Sequence, residues 1–215
     1  MKKQIVEQIE KMSGRYSPYT IFSDWVEMMA ISIQNTCQQV HDSLWKQREK
    51  DYMDICGRYE KKEIIAFGEM MGMLVITLDE QGPRDILGEI YMESGCGSKY
   101  TGQFFTPWHL SLLSAKLMDF SNDKVHTVNE PSCGGGGMIL AVAAVMKERG
   151  IDYQKMLKVV AQDLDWKAVY MTYVQLSLLG INGIVTQGNT LAEPNIEEYP
   201  RYRIFRTPAN MGALI

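Results

Sequence analysis

No apolar run in this 215-residue chain approaches the ~20 residues a membrane-spanning helix needs; the longest uninterrupted one covers 138–146. The opening residues, Met-Lys-Lys-Gln-Ile-Val-Glu-Gln, lack the apolar stretch of a secretory signal. A cytoplasmic location with no membrane partner is the expectation. Cysteine is scarce: Cys37, Cys56, Cys96 and Cys133 form no CxxC pair and have no histidine at ligand spacing. That argues against a zinc site and for reduced thiols. Positive charge is not in excess either, with 22 Lys+Arg against 26 Asp+Glu and a net charge of −4. Composition therefore does not advertise nucleic-acid binding, although an acidic enzyme can act on DNA through local basic groups or through a partner. Internal repeats and low-complexity tracts are absent as well.

What is present is the composition of a globular protein, 46% hydrophobic and 22% charged. The length suits one ordinary domain, or one with a helical appendage. Residues 1–97 read as helical. Phe22, Trp25, Met29, Ile33, Cys37, Val40 and Leu44 recur at three- and four-residue steps and predict one long helix starting at Ser23. Asp24 and Glu27 would sit in its first turn, favoured by the helix dipole. Ile64, Phe67, Met71, Leu74 and Leu78 draw a second stripe, stopped by Gly82-Pro83. The many methionines read as core filler.

The texture changes after Gly95. Gly95, Gly97 and Gly102 mark a connector leading into Gly-Gln-Phe-Phe-Thr-Pro at 102–107. A helix is expected over 108–120 and a strand over 125–129. Next comes Glu-Pro-Ser-Cys-Gly-Gly-Gly-Gly at 130–137. A helix over 138–149 follows, closed by Gly150. A strand over 157–162 ends at Asp163, a helix over 166–179 is closed by Gly180, and a third strand falls at 183–187. Strand alternating with helix predicts a doubly wound parallel α/β sheet in a domain over 98–215.

Four consecutive glycines between strand and helix let the backbone turn sharply and let a ligand press on bare peptide groups. The turn lies at the carboxyl edge of the sheet, where open α/β folds bind cofactors. No Gly-Lys-Ser/Thr follows, so a phosphate loop is excluded. Glu130, four residues ahead of the first glycine, repels a pyrophosphate but suits the cationic aminoacyl end of S-adenosylmethionine. Asp163 stands where a ribose-binding carboxylate belongs, or else it or Asp165 caps the next helix. Gly-Asn-Thr-Leu at 188–191 follows the third strand, where a polar side chain could hydrogen-bond an adenine ring; read by itself it is only a turn. Arg201, Arg203 and Arg206 alternate along an expected edge strand, as phosphate contacts or as a solvated face. His41, His109 and His126 are isolated and read as structural.

These segments, in this order, closely resemble the N6-adenine DNA methyltransferase family, in particular the modification subunit of type I restriction-modification systems. There the motifs run GQFYTP, DPACGSGG, GQE and GDTL, against GQFFTP, EPSCGGGG, AQDLD and GNTL here. Asp85-Ile-Leu-Gly-Glu-Ile-Tyr91 also resembles the family's lead-in. The resemblance implies a Rossmann-like, S-adenosylmethionine-dependent methyltransferase domain, incomplete at its C-terminal end and preceded by a helical region. By that resemblance Gln103, Phe105 and Thr106 line the cofactor pocket, and Glu130, Pro131, Cys133, Gly134 and Gly136 hold the methionine moiety. Asp163 takes the ribose, and Asn189, with Leu191, meets the adenine. Asn189 replaces the family's usual aspartate, so its contact lacks a charge.

The family's catalytic Asn/Asp-Pro-Pro-Tyr/Phe, which grips the amine of a flipped-out adenine, is not spelled here. Thr207-Pro-Ala-Asn-Met-Gly212 offers Asn210 as the candidate catalytic amide, without both prolines and the aromatic; the alternative is a segment with no catalytic duty. The implied activity is methyl transfer from S-adenosylmethionine to adenine N6 in DNA. A specificity-type subunit would supply sequence recognition. The rival readings are an inactive relative that binds the cofactor or a partner, and a small-molecule methyltransferase.

Overall fold

The computed structural model describes residues 1–96 and 105–212, and its first half is helical. The elements there are α1 (Lys2–Met12), α2 (Pro18–Cys37), α3 (Ser43–Cys56), α4 (Lys61–Gln81) and α5 (Ile86–Glu93). The expected long helix is two. Its true start is Ser17-Pro18, where the Ser17 hydroxyl accepts from the Thr20 amide and proline occupies the first helical position. It stops at Cys37, leaving Val40 69% exposed, because Asp42 starts a new helix by accepting from the Trp45 amide. Leu44 therefore belongs to α3. The second stripe matches α4, which Gly82 closes with φ +72°.

The second half contains α6 (Trp108–Lys116), β1 (His126–Glu130), α7 (Gly137–Glu148), α8 (Tyr153–Met156), β2 (Leu157–Asp163), α9 (Trp166–Leu178) and β3 (Asn182–Gln187). Two 3-10 turns (Ile196–Glu198, Arg201–Arg203), β4 (Ile204–Arg206) and α10 (Pro208–Met211) follow. α6 ends before the expected residue 120. The Arg149 guanidinium takes the carbonyls of Lys116 and Met118, so the chain leaves the helix with those acceptors satisfied. Among the described residues no helix is long and apolar enough to cross a membrane.

The sheet order is β1-β2-β3-β4, with the first three strands parallel and β4 antiparallel to β3. The order never reverses, so the expected doubly wound sheet is wound in one direction only. Right-handed crossovers then place α7 and α9 on the same face. Burial follows that geometry. Leu157, Val159, Ala161, Gly183, Val185 and Phe205 point to the covered face and are buried. On the other face Thr127, Asn129 and Lys158 are exposed, and Val160, Asn182 and Ile184 are half-buried.

α2 packs on α9, and α6 on α7, so the N-terminal helices stack outside the helical layer of the sheet. One apolar cluster runs from Ile5 and Trp25 through Tyr91 to Val185. Among the described residues, the carboxyl end of the open face is capped, and Asn210 of α10 bonds Asn182 at its other end. At the carboxyl end Tyr199 accepts from Gln162 and donates to the Glu193 carbonyl.

Candidate functional site

β1 ends at Glu130, and the chain must reverse into α7 within a few residues. Gly134 makes this possible with φ +52°; a Cβ there would also come within 2.9 Å of the Phe105 ring. The Gly136 amide closes the turn on the Cys133 carbonyl at 2.7 Å, and the Cys133 amide reaches the Gln162 carbonyl at 2.9 Å. Asp163, at the end of β2, clamps the turn from the neighbouring strand. Its Oδ2 accepts from the Gly134 amide at 2.9 Å and its Oδ1 from the Asp165 amide at 3.0 Å. The helix cap falls to Asp165, which accepts from the Lys167 amide. Each Asp163 oxygen keeps a lone pair for a ligand hydroxyl.

Three residues that sequence reasoning did not place at the site hold the glycine turn from behind. Gln175 in α9 donates to the Gly135 carbonyl at 2.7 Å and to Asp85 Oδ1 at 2.9 Å, and accepts from the Leu87 amide at 3.0 Å. Thr172, one turn earlier, donates to the Gly134 carbonyl. Asp85 caps α5 through the Gly88 amide and faces Gly135, where a Cβ would meet its carboxylate at 3.0 Å. The available signal was weak: Thr172 and Gln175 are polar residues three apart on a mostly apolar helix that also buries Lys167 and Ser177.

A cavity of about 230 Å³ opens against this turn, walled by Asp85, Phe105, Thr106, Cys133, Met138 and Asp163, among others. Asp85, Phe105 and Thr106 also line an adjoining groove of about 480 Å³. Among the described residues, the smaller cavity is lined by two carboxylates and by no lysine or arginine. Burial raises the Asp85 carboxyl above its ordinary range, against the pull of its bonds from Gln175 and Gly88. Glu130 is also raised, by burial and by the charge of nearby Asp163, against a bond from the Ser132 amide. Burial raises the Cys133 thiol above its ordinary range, against a bond with Thr172, and the nearby Asp163 and Glu130 act in the same direction as burial, the opposite of an activated thiolate.

Of the sequence-derived candidates, Phe105, Thr106, Cys133, Gly134 and Asp163 meet at this cavity, with Glu130, Pro131 and Gly136 in the same loop. Gln103 and the connector glycines Gly97 and Gly102 lie outside the described residues. Asn189 and Leu191 are not on the cavity wall. The Asn189 side-chain oxygen accepts from the Leu191 and Ala192 amides, closing its own turn, and Leu191 is 96% exposed. That turn is tied to the glycine loop through Thr190, which donates to the Pro131 carbonyl.

Asn210 is not brought to the glycine turn. It lies in α10, donating to Asn182 at the start of β3 and accepting from Arg206, at the opposite end of the strands. The expected arginine strand is also corrected, since only Arg206 is in β4. Arg201 pairs with Asp42 and Arg203 with Glu193.

The sequence model of N-6 DNA methylase matches residues 83–208, more than half of the chain and every element of the glycine-turn site. The chain belongs to the N-6 DNA methylase family. The match begins inside the helical half, just ahead of Asp85, in keeping with the contact of Asp85 with the glycine turn. Among curated proteins, the type I restriction enzyme MjaIX methylase subunit of Methanocaldococcus jannaschii is 25% identical over 164 residues. That alignment covers 74% of this N-6 DNA methylase family member and 27% of the relative, so the chain spans about a quarter of that protein's length.

Proposed function

We propose that this chain binds S-adenosylmethionine at the glycine turn and acts as the cofactor-binding part of an adenine-N6 DNA methyltransferase assembly of type I restriction-modification character. The observation that carries the reading is the cavity at the sheet's carboxyl edge, walled by bare glycine backbone, Asp85 and Asp163, with no basic residue among the described residues that line it. An acidic cavity complements a cofactor that carries both a sulfonium and an ammonium group, and it disfavours phosphate-bearing dinucleotides. The glycine cradle leaves backbone exposed where a side chain at 134 or 135 would strike Phe105 or Asp85.

In this reading Asp163 takes the ribose hydroxyls, while Glu130 and the 131–136 loop hold the methionine end. Phe105, Thr106 and Gln103 close the pocket from the N-terminal side, and Asn189 and Leu191 border the adenine. S-adenosylmethionine, when bound, supplies an electrophilic methyl group. The chain's own part is to bind and orient it. β1-α7-β2-α9-β3 is read as one wound half of a Rossmann-like fold over 98–215, behind a helical region over 1–97. A specificity-type subunit supplies DNA sequence recognition in a cytoplasmic complex.

A second reading is favoured by Asn210, whose amide is tied to Asn182 and Arg206 away from the cavity. In that reading the chain binds cofactor or partner and does no chemistry by itself. Calorimetry with S-adenosylmethionine tests the first premise, and a micromolar-range dissociation constant is expected; no binding ends the first reading and the cofactor-binding form of the second. Tritiated methyl transfer to adenine-rich duplex DNA then separates them. Activity in the isolated chain that survives Asn210→Ala supports an enzyme with another catalytic group, and no transfer supports the binder.

A further inference from the structure

A cavity of about 710 Å³ lies away from the glycine turn, where β4 meets the corner between α2 and α3. β2 and β3 lie between it and β1, a separation of about 14 Å at ~4.8 Å per strand. Three arginines from three elements line it: Arg48 of α3, Arg201 of the 3-10 turn and Arg206 of β4. Among the described residues that line it, one carboxylate, Asp42, answers them, and it is engaged by Arg201 at 3.0 Å. The balance is local positive charge in a chain whose net charge is −4.

Arg48 is the informative member. It is only 9% exposed, and the partners of its guanidinium are two neutral amide oxygens, Asn35 Oδ1 at 3.0 Å and Gln38 Oε1 at 3.1 Å. Arg206 likewise bonds an amide, Asn210 Oδ1. Burial holds the Arg48 guanidinium below its ordinary value, against the pull of Tyr173 and Asp42, and Arg201 close by acts in the same direction as burial. A buried guanidinium does not shed its proton at any physiological pH, so an unanswered one is costly unless an anion meets it. The amides fix its orientation without neutralising it, which leaves the charge available to a ligand.

We propose that this cavity binds a phosphate group carried by a nucleotide or a nucleic-acid strand. A tetrahedral oxyanion offers oxygens on several sides, matching forks that arrive from separate elements; a planar carboxylate offers one edge. The volume exceeds what one oxyanion fills and falls in the range of sites for larger ligands. Val40, Leu44, Ile204 and Met211 add apolar wall beside the amides of Gln34, Gln38 and Gln39, a mixture suited to a sugar or base. The site is separate from the cofactor reading, and its charge preference is the opposite of that of the glycine cavity.

The test uses the whole chain in phosphate-free buffer, titrated with dAMP, deoxyadenosine, inorganic phosphate and a labelled DNA duplex. dAMP is expected to bind at least about tenfold more tightly than deoxyadenosine, and the Arg201→Gln/Arg206→Gln double variant to lose at least that factor. Arg48→Lys keeps the charge without the fork and is expected to weaken binding as well. Both substituted positions of the double variant are at the cavity rim, so folding survives there even if Arg48 variants do not fold. Duplex binding whose salt slope falls by about one per arginine removed identifies a strand as the source. Binding of dAMP or phosphate alone identifies a free nucleotide or phosphate. Equal affinity for dAMP and deoxyadenosine, or binding indifferent to the double variant, overturns the proposal. S-adenosylmethionine titrated into the double variant keeps the two sites distinguishable, because its affinity is expected to stay unchanged.

Discussion

The two faces of the sheet differ sharply for strands of the same composition. Toward α7 and α9 lie Leu157, Val159, Ala161 and Val185, all buried. Away from them lie Thr127, Asn129 and Lys158, exposed, with Val160 and Ile184 half-covered. Parallel sheets are ordinarily covered on both sides. A one-way strand order gives cover to one side only, and the polar residues of the open side are what keep that face tolerable in water. The comparison teaches that local alternation within a strand, not its mean hydropathy, reports how many layers pack on it.

Identical substitutions at adjacent residues break or sharpen this comparison best. Val159→Asp places an unpaired charge in the covered layer and is expected to cost about 3–5 kcal/mol by urea denaturation. Val160→Asp, one residue on, is expected to cost about 1 kcal/mol or less. Equal losses would mean that the second face is covered after all.

Next in size, Gly134→Ala forces a side chain into positive φ and against Phe105. A stability loss of about 1–3 kcal/mol is expected. S-adenosylmethionine affinity should fall about tenfold or more by calorimetry, a change of at least 1.4 kcal/mol.

A smaller effect concerns the raised Glu130 carboxyl at the end of β1. Its folded value lies above the ordinary 4.5. The folded state therefore holds the proton more tightly, and this group's contribution to stability falls as pH rises from about 4.5 through the raised value. Glu130→Gln removes that fall, so urea midpoints measured from about pH 4 to about pH 7 should decline less in the variant than in the parent. A parallel decline would place the shift elsewhere, with Asp85 the next group to substitute. Lys158→Ala, on the open face, is expected to change stability by no more than about 0.5 kcal/mol.

Much of the second half was legible because its elements are marked by punctuation. Gly150 and Gly180 end helices, the glycine run opens one, and Asp163 closes a strand, each by a local backbone requirement. The helical half was less legible. The apolar stripe from Phe22 to Leu44 stays in phase across the break at residues 38–42, so periodicity merged two helices that Ser17 and Asp42 caps separate. At the site, the glycine turn and Asp163 were visible from their position in the strand–helix alternation. Asp85 and Gln175 were not, since their role arises from bonds between residues 90 positions apart.

Taken alone, the amino-acid order settled where the second half of the chain turns and which backbone a ligand can approach, because glycine, proline and capping side chains act on their own neighbours. Which face of the sheet is covered, which polar residues brace the glycine turn, and where three dispersed arginines meet were decided by the tertiary structure. Those features depend on strand order and on the packing of α2 against α9, contacts between distant segments that no local pattern encodes.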